Sequence, residues 1–116
     1  MAALKKNFST PDETITPAKT RVEIVEIGDN TVMRARFEPG WRWSEDIKPV
    51  AGTDSCQAHH VGVQLSGRMK AKMDDGTEIE VGPNDVVDIP PGHDAWVVGD
   101  EPVVMIDFTG GKTYAR

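Results

Sequence analysis

Turn-forming residues recur so often in this chain that no long element fits between them. Gly28-Asp29-Asn30, Pro39-Gly40, Ser66-Gly67, Asp74-Asp75-Gly76, Gly82-Pro83-Asn84-Asp85, Pro90-Pro91-Gly92, Gly99-Asp100-Glu101-Pro102 and Gly110-Gly111 punctuate it. Asp74-Asp75-Gly76 is a hairpin loop of the kind that needs a positive φ. Between these breaks the apolar period is two. In residues 31–38, Met33, Ala35 and Phe37 alternate with Arg34 and Arg36. In residues 68–73, Met69, Ala71 and Met73 alternate with Arg68, Lys70 and Lys72. Ile79 and Val81 share a face of residues 77–81, and short strands are expected over 22–27, from near His59 to Ser66, and over 86–89, 95–98 and 103–108. Eight or nine short strands without a helix predict an all-β chain, folded as a jelly-roll β-barrel. Such a roll encloses a pocket on which inward side chains from several strands converge.

The length of 116 residues suits a single domain. Residues 1–21 show no periodicity and are expected as an extended N-terminal arm. Residues 22–109 would form the barrel, interrupted by an irregular stretch over 44–55, and Gly110-Gly111 would release a polar tail over 110–116. An open roll leaves a sheet edge that pairing can cover, so a homodimer is expected, with the arm in the contact.

A net charge of −6 opposes binding to nucleic acid or to an anionic membrane surface. No apolar run approaches the roughly 18 residues of a membrane span. The first residues lack the apolar stretch of a secretory signal, and one cysteine makes no internal disulfide, so a cytoplasmic location is expected. There is no G-x-S-x-G elbow, phosphate-binding loop or dinucleotide fingerprint.

What chemistry remains gathers in Cys56-Gln57-Ala58-His59-His60 and at His93 after the Pro-Pro-Gly turn. Cysteine and two histidines suit zinc, iron or copper, and three ligands leave a position open for water or substrate. Cys56, His60 and His93 are therefore the candidate ligands of a divalent transition metal. Against this stands Cys56 as a small buried hydrophobe, or as a nucleophile with His60 as its base. His59 must face away from His60. Gln64 shares the inward face of His60 and could orient a ligand or satisfy a buried bond elsewhere. Trp41 and Trp43 share a face if their segment is extended, and could wall a pocket. Lys48 could meet a carboxylate substrate or remain a solvated loop residue. Asp94 could fix the ring of His93 or serve the turn.

Two stretches, His60-Val61-Gly62-Val63-Gln64-Leu65-Ser66-Gly67 and Gly82-Pro83-Asn84-Asp85 through Pro90-Pro91-Gly92-His93, resemble the two motifs of a small single-domain cupin. The likeness covers roughly residues 22 to 108. Counting back from Gly67, His60 stands where the family's acidic ligand usually stands. Cys56 falls where the second histidine of its H-x-H pair would be, and Asp54 where the first would be. A second alignment, counted forward from Gly40, puts Asp46 and Lys48 at that pair. The second motif's histidine falls at Ala95, two residues past His93. The resemblance implies a jelly roll with a ligand pocket, and a family that includes isomerases, lyases, cyclases and dioxygenases. Two functions follow as expectations. One is a metal-dependent enzyme acting on a small carbonyl or carboxylate compound. The other is a non-catalytic small-molecule-binding or sensor protein without metal.

Overall fold

The turns divide the chain much as the sequence predicts. A computed structural model describes residues 2–112 and Tyr114. Among these lie nine strands: β1 (Glu13–Ile15), β2 (Thr20–Ile27), β3 (Asn30–Phe37), β4 (His60–Ser66), β5 (Arg68–Met73), β6 (Glu78–Val81), β7 (Val86–Ile89), β8 (His93–Val98) and β9 (Val103–Asp107). They form two antiparallel sheets, one in the order β1-β2-β3-β9-β4-β7 and one in the order β6-β5-β8. This is a two-sheeted jelly roll. No helix of the described residues is long and apolar enough to cross a membrane.

Alternation fixes which faces meet. Met33, Ala35 and Phe37 of β3, Met69 and Ala71 of β5, and Val103 and Met105 of β9 are buried between the sheets. Val81 of β6 is buried, but Ile79 on the same face is half-exposed because β6 is an edge strand. The chain changes sheets at Gly67, between β4 and β5. Its φ of 75° lies in the left-handed region, and a Cβ there would run into the Pro102 carbonyl. Glycine is thus required twice over at this crossing.

Three segments differ from the sequence expectation. The expected arm is partly strand: β1 pairs with β2, with Glu13 opposite Ile24, and β2 itself begins at Thr20. The irregular stretch holds two single-turn helices, α1 (Trp43–Asp46) and α2 (Lys48–Ala51). Trp43 therefore does not continue an extended segment from Trp41. The Asp46 carboxylate accepts from Arg42 N at 3.0 Å, and Asp94 Oδ1 accepts from Ser44 N at 3.1 Å, so both start α1. Finally, Gly110–Lys112 form a 3-10 turn and Tyr114 is 3% exposed. At Tyr114 the chain is back on the core, and the rest of the expected tail, Thr113, Ala115 and Arg116, lies outside the described residues.

Candidate metal centre

Period two carries His60, at the start of β4, to the inner face. His93 opens β8 immediately after Pro90-Pro91-Gly92, also facing inward. Cys56 lies outside any strand, yet it forms an isolated bridge with His93: its N–H donates to His93 O at 2.7 Å, and its carbonyl accepts from Gly92 N at 2.7 Å. That bridge holds the loop after α2 against β8. Cys56, His60 and His93 are 3%, 8% and 3% exposed, and one ligand atom from each lies within 4.8 Å of the others. Cys56 Sγ is 3.7 Å from His60 Nε2, and the two imidazole rings sit edge to face, 5.2 Å apart.

Each ring is held from behind. His60 Nδ1 is hydrogen-bonded to Asp107 Oδ2, and His93 Nδ1 donates to Pro90 O at 2.8 Å. Both Nε2 atoms are left for the centre. Asp107 is fully buried, and its other oxygen accepts from the N–H groups of Thr109 and Gly110, each at 2.8 Å. A Cβ on Gly110 would fall 2.7 Å from both His60 Nδ1 and Asp107 Oδ2, so this turn can approach the pair only as glycine. Burial raises the Cys56 thiol, but hydrogen bonds and charge from His60 and His93 outweigh it and bring the pKa down to about 6. Burial opposes charge on His60, but Asp107 and the Cys56 thiolate raise it to about 9. Burial raises the Asp107 carboxyl, and His60 with the two backbone N–H groups brings it below its usual range. The centre is built to keep a thiolate and neighbouring imidazoles, a donor set that suits a soft or borderline divalent ion.

A cavity of about 30 Å³ opens beside these residues. His60 and His93 line it together with Tyr114, whose ring meets that of His60 edge to face, and Trp41, Trp43, Phe37 and several methionine and aliphatic side chains complete the wall. Trp41 stacks on Phe37 with the ring centroids 4.0 Å apart. Both tryptophans thus line the pocket, although by different local conformations than expected.

Other candidates go elsewhere. Gln64 is fully buried on the inner face, but its Nε2 donates to Gly67 O at 2.8 Å and Val81 O at 3.0 Å, and it is not part of the cavity wall. It ties the crossing at Gly67 to β6. Lys48 lies on α2 with its side chain 44% exposed, 3.8 Å from Asp54. It borders an open surface depression with Ser44 and Asp54, away from the centre. Asp46 pairs with Lys19, so neither cupin-like alignment of the H-x-H pair brings its acidic residue to the cluster. His59 faces outward to Asp88 at 2.6 Å. Asp94 serves α1 and its own strand rather than His93. Two contributors are absent from the sequence expectation. Asp107 continues the inward period of Val103 and Met105, which is a legible signal. Tyr114 follows two glycines in a polar tail, with no such signal.

No family model matches the chain, and no curated protein does. Solved structures do. A Rhizobium leguminosarum protein of unknown function is 21% identical, with 94% of this chain and 97% of that one covered and a TM-score of 0.67. A cupin-like protein from Thermotoga maritima is 19% identical over 79% of this chain and 68% of its own, with a TM-score of 0.55. Oxalate decarboxylase from Bacillus subtilis is 20% identical over 89% of this chain and 28% of its own, with a TM-score of 0.60. Likeness at this identity speaks for architecture, and with the two-sheeted roll and its inward-facing centre it leads to one conclusion: this chain has the cupin fold.

Proposed function

We propose that this chain is a small metal-binding cupin in which Cys56, His60 and His93 hold a divalent transition metal such as zinc, iron or copper. The observation that carries this is the convergence of three buried donor atoms within 4.8 Å. A thiol and a base would suffice for nucleophilic catalysis, and Cys56, His60 and Asp107 have that order. The presence of His93 on the same thiol favours metal ligation, because a nucleophile and its base have no need of it. When bound, the metal supplies Lewis acidity toward a carbonyl or carboxylate oxygen. The protein's own residues orient both rings, keep the thiol ionised and exclude bulk water. The fold of oxalate decarboxylase, an enzyme named for a small carboxylate, supports a substrate of that class.

The second function is a binding or sensor protein without metal, favoured by a cavity whose walls are mostly apolar. Metal content separates the two. Protein purified without chelators or an affinity tag is expected to carry about one equivalent of metal, lost in Cys56→Ser and His60→Ala. Substoichiometric metal in the wild type, unchanged in both variants, eliminates the metal-dependent function and leaves the sensor.

A further inference from the structure

Among the described residues, three buried side-chain atoms have no hydrogen-bond partner: Trp41 Nε1, Gln64 Oε1 and the Tyr114 hydroxyl. Gln64 is away from the cavity. Trp41 and Tyr114 both line it. A buried donor without an acceptor is costly enough that native proteins rarely keep one, and here two belong to residues that line one small cavity. The indole N–H can only donate, and the phenol donates readily. Their shared need is an occupant with acceptor oxygens.

Charge narrows the occupant. Among the described residues, no lysine or arginine side chain lines the cavity. A divalent ion with the Cys56 thiolate would carry one net positive charge there. Asp107 keeps its negative charge behind His60, on the Nδ1 side of the ring turned from the metal position, where two backbone N–H groups hold it. A monoanion balances the charge on the metal and its thiolate alone. The cavity of about 30 Å³ has room for roughly two waters, which limits the ligand to a few non-hydrogen atoms.

We propose that the cavity binds a small monocarboxylate, whose oxygens accept hydrogen bonds from the Tyr114 hydroxyl and the Trp41 indole N–H while its charge faces the Cys56–His60–His93 centre. The balancing cation rests on the metal-binding function proposed above. The donor pair does not. Tyr114 follows the 3-10 turn at Gly110–Lys112 into the site, and its ring lies 5.7 Å from that of His60.

Formate is the probe. Zinc-loaded protein is titrated while the Trp41 indole N–H resonance, assigned through Trp41→Phe, is followed by NMR. Cobalt-loaded protein is titrated in parallel through its visible spectrum. Formate is expected to shift the Trp41 resonance saturably. Tyr114→Phe is expected to take up metal as the wild type does and to bind formate about tenfold more weakly or worse, the loss of one hydrogen bond to a charged group. Formamide, similar in size but neutral, should bind far more weakly. An unmoved Trp41 resonance in metal-loaded protein means that the cavity holds water only and overturns the proposal, as does undiminished formate binding by Tyr114→Phe. If the protein takes up neither metal, the metal function fails separately. Formate that still shifts Trp41 then upholds the donor pair, and formate that does not overturns it.

Discussion

His60 is used through both of its nitrogens, and only one use is readable from its neighbours in the chain. Nε2 faces Cys56, four residues away, and that spacing marks the pair at once. Nδ1 faces Asp107, 47 residues away, and the contact exists because β4 and β9 pair with Gly62 opposite Asp107. An inward polar residue at the end of a strand looks like an ordinary turn residue until that pairing is known. The pair makes a specific prediction. In Asp107→Asn the amide oxygen can still accept from Thr109 and Gly110, so the turn should hold. The amide NH2, however, would meet the Nδ1–H of His60 donor to donor and favour the tautomer that carries its proton on Nε2. Metal affinity is expected to fall about 10–100-fold, measured by competition with a chromophoric chelator. Affinity equal to the wild type would show that Asp107 does not orient the ligand.

Strands were legible where alternation was clean, and helices were not, because their supports lie far away in sequence. Met33, Ala35 and Phe37 announce β3 by themselves. By contrast, α1 depends on Asp94, fifty residues beyond Ser44, and four residues show no helical period of their own. The tail is a similar case: nothing in its composition shows that Gly110 must pass against His60 and carry Tyr114 inward. The crossing from β4 to β5 is the element on which the site most depends, since it sets which face of β4 carries His60. Gly67→Ala there meets both an unfavourable left-handed φ, about 1–2 kcal/mol by itself, and the Pro102 carbonyl. A loss of about 2 kcal/mol or more is expected, read as a lower urea midpoint with an unchanged slope. A midpoint within error of the wild type would mean that the crossing relaxes freely.

At the level of the molecule, two opposed titrations offset each other in the stability of the metal-free protein. His60 is raised from 6.5 to about 9, so its contribution is complete below pH 6.5 and is lost as pH rises through 9. Cys56 is lowered from 9.0 to about 6, so its contribution is complete above pH 9 and is lost as pH falls through 6. The native protein holds both charges between about pH 6 and pH 9, where the unfolded chain holds a neutral thiol and, above 6.5, a neutral ring. Over that interval the loss at His60 and the gain at Cys56 nearly cancel, so metal-free stability should stay nearly level from pH 6.5 to pH 9, measured by thermal unfolding across pH. In Cys56→Ser the rising contribution is gone, and stability should fall as pH rises above 6.5 and His60, still raised by Asp107, loses its proton. Metal adds a separate term. At a free concentration 100 times its dissociation constant, an ion bound only by the native state contributes about 2.7 kcal/mol. For a domain of this size that is a rise in Tm of roughly 10 °C. The rise should be reversed by a chelator and absent in Cys56→Ser. A level wild-type profile that tilts in Cys56→Ser, with no response to metal, would leave the thiolate–imidazolium pair standing and remove the metal. The two terms rest on the same three side chains but are separable in one set of melting curves.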